Sequence, residues 1–119
     1  MGIYTKYASV NHQGTIEAGN RSLGIFSETP LSLTSSGSIK VGNEGLAIYK
    51  KQGVVTINGT ITTGNSATAV YTDNNVTINN NSSNIKIGDN SFGFIVLKNG
   101  TNNYNSSASS KFKIGRAHV

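Results

Sequence analysis

Gly37-Ser38-Ile39-Lys40-Val41-Gly42-Asn43, followed closely by Leu46-Ala47-Ile48-Tyr49, decides the fold, because both stretches recur at one interval. The first returns as Gly14-Thr15-Ile16, Gly59-Thr60-Ile61 and Ser83-Asn84-Ile85, with isoleucines 23, 22 and 24 residues apart. Three residues after each isoleucine stands Gly19, Gly42, Gly64 or Gly88, and then Asn20, Asn43, Asn65 or Asp89. The second returns as Met1-Gly2-Ile3-Tyr4, Leu23-Gly24-Ile25-Phe26, Thr68-Ala69-Val70-Tyr71 and Phe92-Gly93-Phe94-Ile95. From Ile3 through Ile25, Ile48 and Val70 to Phe94 its steps are 22, 23, 22 and 24. Two independent columns that keep one period identify a repeat array.

Each repeat holds a third extended piece, Val54-Val55-Thr56-Ile57, matched by Asn75-Val76-Thr77-Ile78-Asn79 and more loosely by Leu31-Ser32-Leu33-Thr34 and Ala8-Ser9-Val10-Asn11. Residues alternate with period two in every piece, the mark of a strand with one covered face. Hairpins between consecutive strands would give the repeats no reason to keep their length. A coil in which each strand lies about 4.8 Å above its predecessor does. One-residue drifts then fall in turns, where insertions are tolerated. The expected fold is all-β, a single-stranded parallel β-helix of about five rungs, three short strands per rung, on the order of 24 Å tall. Its interior columns are Ile16, Ile39, Ile61, Ile85; then Ile3, Ile25, Ile48, Val70, Phe94; and then Leu31 or Leu33 with Val55, Ile57, Val76 and Ile78.

Stacking also orders the exterior. Tyr4, Phe26, Tyr49 and Tyr71 form an outward aromatic ladder, with Gly2, Gly24, Ala47, Ala69 and Gly93 as a small-residue column beside it. Packing along the stack explains such a ladder; a shallow aromatic groove for sugars or a partner is the functional alternative. Glu17, Lys40, Thr62 and Lys86 form another outward column, in which a Glu17–Lys40 pair is worth roughly 0–1 kcal/mol. At the Gly-Asn corners glycine supplies positive φ and asparagine tolerates the left-handed region. Asn58, Asn79, Asn80 and Asn81 are placed to add amide bonds between rungs.

The 119 residues suffice for one domain at most. Charged residues make up only 13%, yet β-branched residues are plentiful, which suits short strands better than disorder. With no cysteine, disulfides and thiolate metal sites are excluded; such a composition fits the cytosol and also chains threaded unfolded through a secretion pore. Met1 leads directly into a strand copy, without the basic start and apolar run of a signal peptide, so the chain reads as starting mid-repeat and uncapped. No run of roughly 20 apolar residues predicts membrane insertion. The formal charge of +5 is spread over Lys6, Lys40, Lys50, Lys51, Lys86 and Lys98 in different rungs, which reads as a solvated surface rather than a nucleic-acid face.

Residues 1–98 therefore form the β-helix segment, and residues 99–111 a polar loop or frayed rung with only Tyr104 to bury. Residues 112–119 are a partial strand in which Phe112-Lys113-Ile114-Gly115 restarts the Ile85-Lys86-Ile87-Gly88 pattern. Ile114-Gly115-Arg116-Ala117-His118-Val119 also resembles a translated sequencing-adapter read-through.

Catalytic signals are weak. Glu17, Glu28, Glu44, Asp73 and Asp89 never occupy adjacent equivalent positions, whereas a glycosidic bond needs two flanking carboxylates. His12 lacks a second ligand or an acid at motif spacing, and unactivated serines are poor nucleophiles. Gly88-Asp89-Asn90 hints at calcium without the glycine-rich nonapeptide that such sites use. No catalytic, cofactor or metal residue is assigned.

The units Gly14-Thr15-Ile16…Gly19-Asn20…Leu23-Gly24-Ile25-Phe26 and Gly37-Ser38-Ile39…Gly42-Asn43…Leu46-Ala47-Ile48-Tyr49 resemble the repeats of autotransporter passenger domains, the large adhesin type of Gram-negative anaerobes. Two-partner-secreted haemagglutinins share the β-helix and its Gly/Asn turns. The resemblance implies type V secretion, display outside the outer membrane, and a stalk or adhesin role in cell attachment, with no cofactor. It implies as partners a host or neighbouring-cell receptor or glycan and the adjacent repeats of the parent chain. The family's leader and translocator barrel have no counterpart among these residues. The alternative is a β-helical carbohydrate-active protein, such as a polysaccharide lyase or a tailspike-like protein.

Overall fold

A computed structural model describes residues 2–73, 76–82, 84–97, 103–106 and 114–117, the last two segments and residues 96–97 by backbone alone. Met1, Asn75, Ser83, Lys98, most of the polar 99–111 stretch, the Tyr104 side chain, Phe112, Lys113 and His118 lie outside that description. The first coil contributes β1 (Ile3–Thr5), β2 (Val10–His12) and β3 (Thr15–Glu17), and the second β4 (Leu23–Ser27), β5 (Leu33–Ser35) and β6 (Ser38–Lys40). The third has β7 (Leu46–Lys50), β8 (Gly53–Ile57) and β9 (Thr60–Thr62); the fourth has β10 (Thr68–Thr72), β11 (Val76–Asn80) and β12 (Ile85–Lys86). Beyond them lie β13 (Phe92–Leu97), β14 (Asn103–Ser106) and β15 (Ile114–Ala117).

Every strand pairs in parallel with its equivalent one coil away, giving three sheets: β1-β4-β7-β10-β13-β15, β2-β5-β8-β11-β14 and β3-β6-β9-β12. The registers Ile3↔Ile25, Ile25↔Ile48, Val70↔Ile48 and Val70↔Phe94 put one expected column in line. Ile16↔Ile39, Ile39↔Ile61 and Ile85↔Ile61 do the same for another. This is a parallel β-solenoid with three strands per turn, as the repeat period predicts. In the third column Leu33, not Leu31, pairs with Val10 and Val55; Leu31 is 49% exposed. Ile114 lies beside Phe94, so the last strand extends the six-stranded sheet and does not restart the Ile85 column.

Ile25, Ile39, Ile48, Ile61, Val55, Val70, Ile78 and Phe94 are buried in the common core. Each such side chain contributes about 1.5–3 kcal/mol by leaving water. The small-residue column, expected outside, faces this core: Ala47 and Ala69 are fully buried, and a Cβ on Gly2 would lie 2.7 Å from Ile16 Cγ2. The chain turns there into the six-stranded sheet, so two successive residues, Ala47 and Ile48, point inward while Leu46 stays half-exposed. Only a small residue fits against the neighbouring isoleucine column.

The Gly-Asn corners work differently from the expectation too. Positive φ falls on the residue after Asn or Asp, at Arg21, Glu44, Ser66 and Asn90, and not on the glycine. The asparagine oxygen reaches one coil onward instead: Asn20 Oδ1 accepts from Asn43 N–H at 2.8 Å, Asn43 from Asn65 at 2.9 Å, and Asn65 from Asp89 at 2.9 Å. Gly42 sits where this oxygen passes, and a Cβ on it would collide with Asn20 Oδ1; Gly64 stands in the same relation to Asn43. Glycine is required here by close approach. Elsewhere Asn81 Nδ2 donates to Asn58 Oδ1 at 2.9 Å, an inter-coil amide bond of the expected kind.

Candidate functional site

The aromatic ladder is continuous. Tyr4 and Phe26 have ring centroids 5.3 Å apart, Phe26 and Tyr49 stack at 4.8 Å and 27°, and Tyr49 meets Tyr71 at 5.0 Å and 67°. Register aligns them as Tyr4↔Phe26, Phe26↔Tyr49 and Tyr71↔Tyr49, with Ile95 next in line. Such aromatic pairs are each worth about 0.5–1.5 kcal/mol beyond their buried area. Tyr4 is 53% exposed while Phe26, Tyr49 and Tyr71 are half-buried, so the rings chiefly face one another.

A charge ladder that reading along the chain missed runs beside the rings. The residues that leave this sheet are Lys6, Glu28, Lys51 and Asp73, alternating in sign from coil to coil, with Glu28 N–H donating to Thr5 O and Asp73 N–H to Lys50 O. The Tyr4 hydroxyl donates to Glu28 Oε2 at 2.6 Å, and the Tyr49 hydroxyl to Asp73 Oδ1 at 2.9 Å. Lys51 Nζ lies 3.9 Å from Glu28 Oε1. The hydrogen bond to Glu28 raises the Tyr4 phenol above its ordinary value. Burial, and then the bond to Asp73, pushes Tyr49 up to about 12. Only the repeat register could have revealed this column, because its members are 22–23 residues apart.

Lys50 overturns the solvated-surface expectation. It is fully buried, in register with Ser27 and Thr72. Its Nζ donates to Ser27 Oγ at 2.8 Å, Thr29 O at 2.7 Å and Leu31 O at 2.5 Å. Burial lowers its ammonium from 10.5 to about 8, so it enters the core charged at neutral pH and solvated by three oxygens. Strand parity carried the signal: Ile48 in, Tyr49 out, Lys50 in. It was overridden by the ordinary preference of lysine for water.

His12 also points inward. Its Nδ1 lies 2.9 Å from Ser35 Oγ, its Nε2 has no hydrogen-bond partner among the described residues, and burial lowers its pKa below the usual value. Ser35 is 1% and His12 5% exposed, so this serine–histidine contact is packed where no substrate reaches. Glu17 and Lys40 stand in register, yet no ion pair joins them among the described residues; Arg21 and Glu44 pair instead at 3.4 Å, both in solvent. Asp89 occupies the asparagine position of its corner. Among the described residues no three His, Asp or Glu side chains gather to hold a metal ion.

The open feature nearest these columns is a groove of about 580 Å³ where the six-stranded sheet turns toward the five-stranded one. Lys6, Tyr7, Glu28, Pro30, Leu31 and Lys51 line it. No family model, no curated protein and no solved structure matches the chain. Geometry and the repeat resemblance are therefore what bear on function.

Proposed function

We propose that the chain is a segment of an autotransporter passenger, displayed outside the outer membrane as an adhesive stalk. The observation that carries this reading is the column-by-column repetition of the coil. Corner, core and ring positions are each dictated by the coil before, which suits a spacer that gains length by adding coils. An outer face of threonine, asparagine and lysine, on which Glu28 and Asp73 accept from tyrosine hydroxyls and Glu28 also faces Lys51, supports a binding role over catalysis. The partners in this reading are neighbouring repeats of the parent chain and a receptor or glycan on a host or adjacent cell.

The test is surface display. The parent reading frame, with an epitope tag in the exposed Ala8-Ser9 connection, is expressed in a Gram-negative host. Protease added to intact cells should remove the tag signal. A tag protected in intact cells and digested only after lysis refutes the reading.

A further inference from the structure

Of the large apolar side chains left in solvent, Tyr7 at 81% and Leu31 at 49% both line the corner groove. Leu31 does not hang on a loose loop. Lys50 holds the carbonyls of Thr29 and Leu31 from inside the core, and the Leu31 N–H donates to Thr29 Oγ1 at 3.1 Å. One coil on, Gly53 adopts φ +86 against Pro30, where any Cβ would strike the Pro30 carbonyl. Gln52 Nε2 ties the Glu28 carbonyl at 3.0 Å. The wall carrying Pro30 and Leu31 is thus set before any ligand arrives, which lowers the ordering cost of binding.

The charges around it are unequal. Glu28 already accepts the Tyr4 hydroxyl and faces Lys51, so its acceptor capacity is turned toward the protein. Lys6 Nζ lies over one face of the Tyr7 ring, 5.7 Å from its centroid, and Tyr7 as a whole is 81% exposed. The groove therefore offers an aromatic ring, an aliphatic wall and two ammonium groups, Lys6 over Tyr7 and Lys51 facing Glu28, so that its lining carries one more positive than negative charge. An aromatic ring and an aliphatic wall flanked by two cations match a pyranose ring that carries an anionic substituent. The volume falls within the 300–1,000 Å³ typical of small-ligand sites.

We propose that this groove binds an acidic saccharide, a uronate-bearing oligosaccharide, with one ring on Tyr7 and Leu31 and its carboxylate between Lys6 and Lys51. The specificity rests on the adhesive reading above, and the two fail separately. A chain that is not displayed refutes adhesion whatever the groove binds, whereas a displayed chain indifferent to uronates refutes only the groove.

The full chain, immobilised at low density and shown to be folded by circular dichroism, is titrated with a galacturonate trisaccharide, a neutral galactose trisaccharide and a hexaglutamate peptide. Galacturonate should bind and the other two should not. Tyr7→Ala and Lys51→Gln should each weaken binding by about tenfold, or about 1.4 kcal/mol. Lys40→Gln, a change at an exposed lysine on the four-stranded sheet, should leave it unaltered. Equal binding of the neutral sugar or the peptide overturns the proposal. So does an undiminished affinity in Tyr7→Ala or Lys51→Gln, an equal loss in Lys40→Gln, or no binding of galacturonate.

Discussion

Replacing Lys50 with methionine should change how stability depends on pH as well as how large it is. Its ammonium is buried and titrates at about 8 in the folded chain against 10.5 when unfolded. Between those values the unfolded state holds the proton more tightly, so stability rises with pH. Below pH 8 both states are charged and the contribution is flat. By pH 10 the gain amounts to about 2 kcal/mol. Above pH 10 the sign reverses for Tyr49, whose folded value near 12 makes the native state keep a proton that the unfolded state loses. The clean window is therefore pH 8 to 10. Urea unfolding followed by far-UV circular dichroism should show the midpoint moving up by roughly 1–2 M across it, given slopes of about 1–3 kcal/mol/M. In Lys50→Met the rise should vanish. The variant should also be weaker at pH 7, because Ser27 Oγ, Thr29 O and Leu31 O lose their donor, at about 1–3 kcal/mol per unsatisfied group. A parent chain with constant stability from pH 8 to 10, or a variant that keeps the same rise, refutes the buried ammonium.

Gly42→Ala should destabilise the chain by about 1–3 kcal/mol, since its Cβ would displace Asn20 Oδ1 from the Asn43 N–H. Gly19→Ala, in the same column with nothing within 4 Å of its Cβ, should be neutral in the same thermal melts. Equal effects would dismiss the interlocking corner. Ile48→Asp places a charge between Ile25 and Val70 and should abolish the β signal in circular dichroism; an unaltered spectrum would mean that the column is misplaced. His12, whose folded pKa is lowered by burial, should make stability fall as pH drops below 6.5, because the unfolded chain takes up the proton first. His12→Leu should reduce that slope in urea midpoints measured from pH 7 to 5, and an unchanged slope would assign it to other groups.

The core was legible in the sequence because stacking makes equivalent positions repeat. Ile39 marks its strand in every coil, and its register partners are Ile16 and Ile61. The ring ladder was legible for the same reason. What escaped detection lay where one chemical habit overruled parity. Lys50 takes the inward slot that Ser27 and Thr72 fill in neighbouring coils, which a polar column alone does not announce. Gly24 and Ala47 look like exterior spacers when alternation is taken as unbroken, but the chain bends as it enters that sheet and turns them inward. The corner glycines suggested backbone freedom, yet it is the passage of a neighbour's amide that demands Gly42, Gly64 and Gly88. The charge column was hidden because Lys6, Glu28, Lys51 and Asp73 share no chemistry that a repeat search rewards; their relation is alternation of sign.

The amide that crosses from Asn20 to Asn43, and on through Asn65 to Asp89, gives the corners at Asn43 and Asn65 a plug on one side and a socket on the other. A whole turn spliced in or cut out leaves matching surfaces at the new junction, whereas half a turn leaves a plug with nowhere to go. Length in such a protein is inherited in discrete steps, and a gene carrying it can grow or shrink by recombination without relearning how to fold.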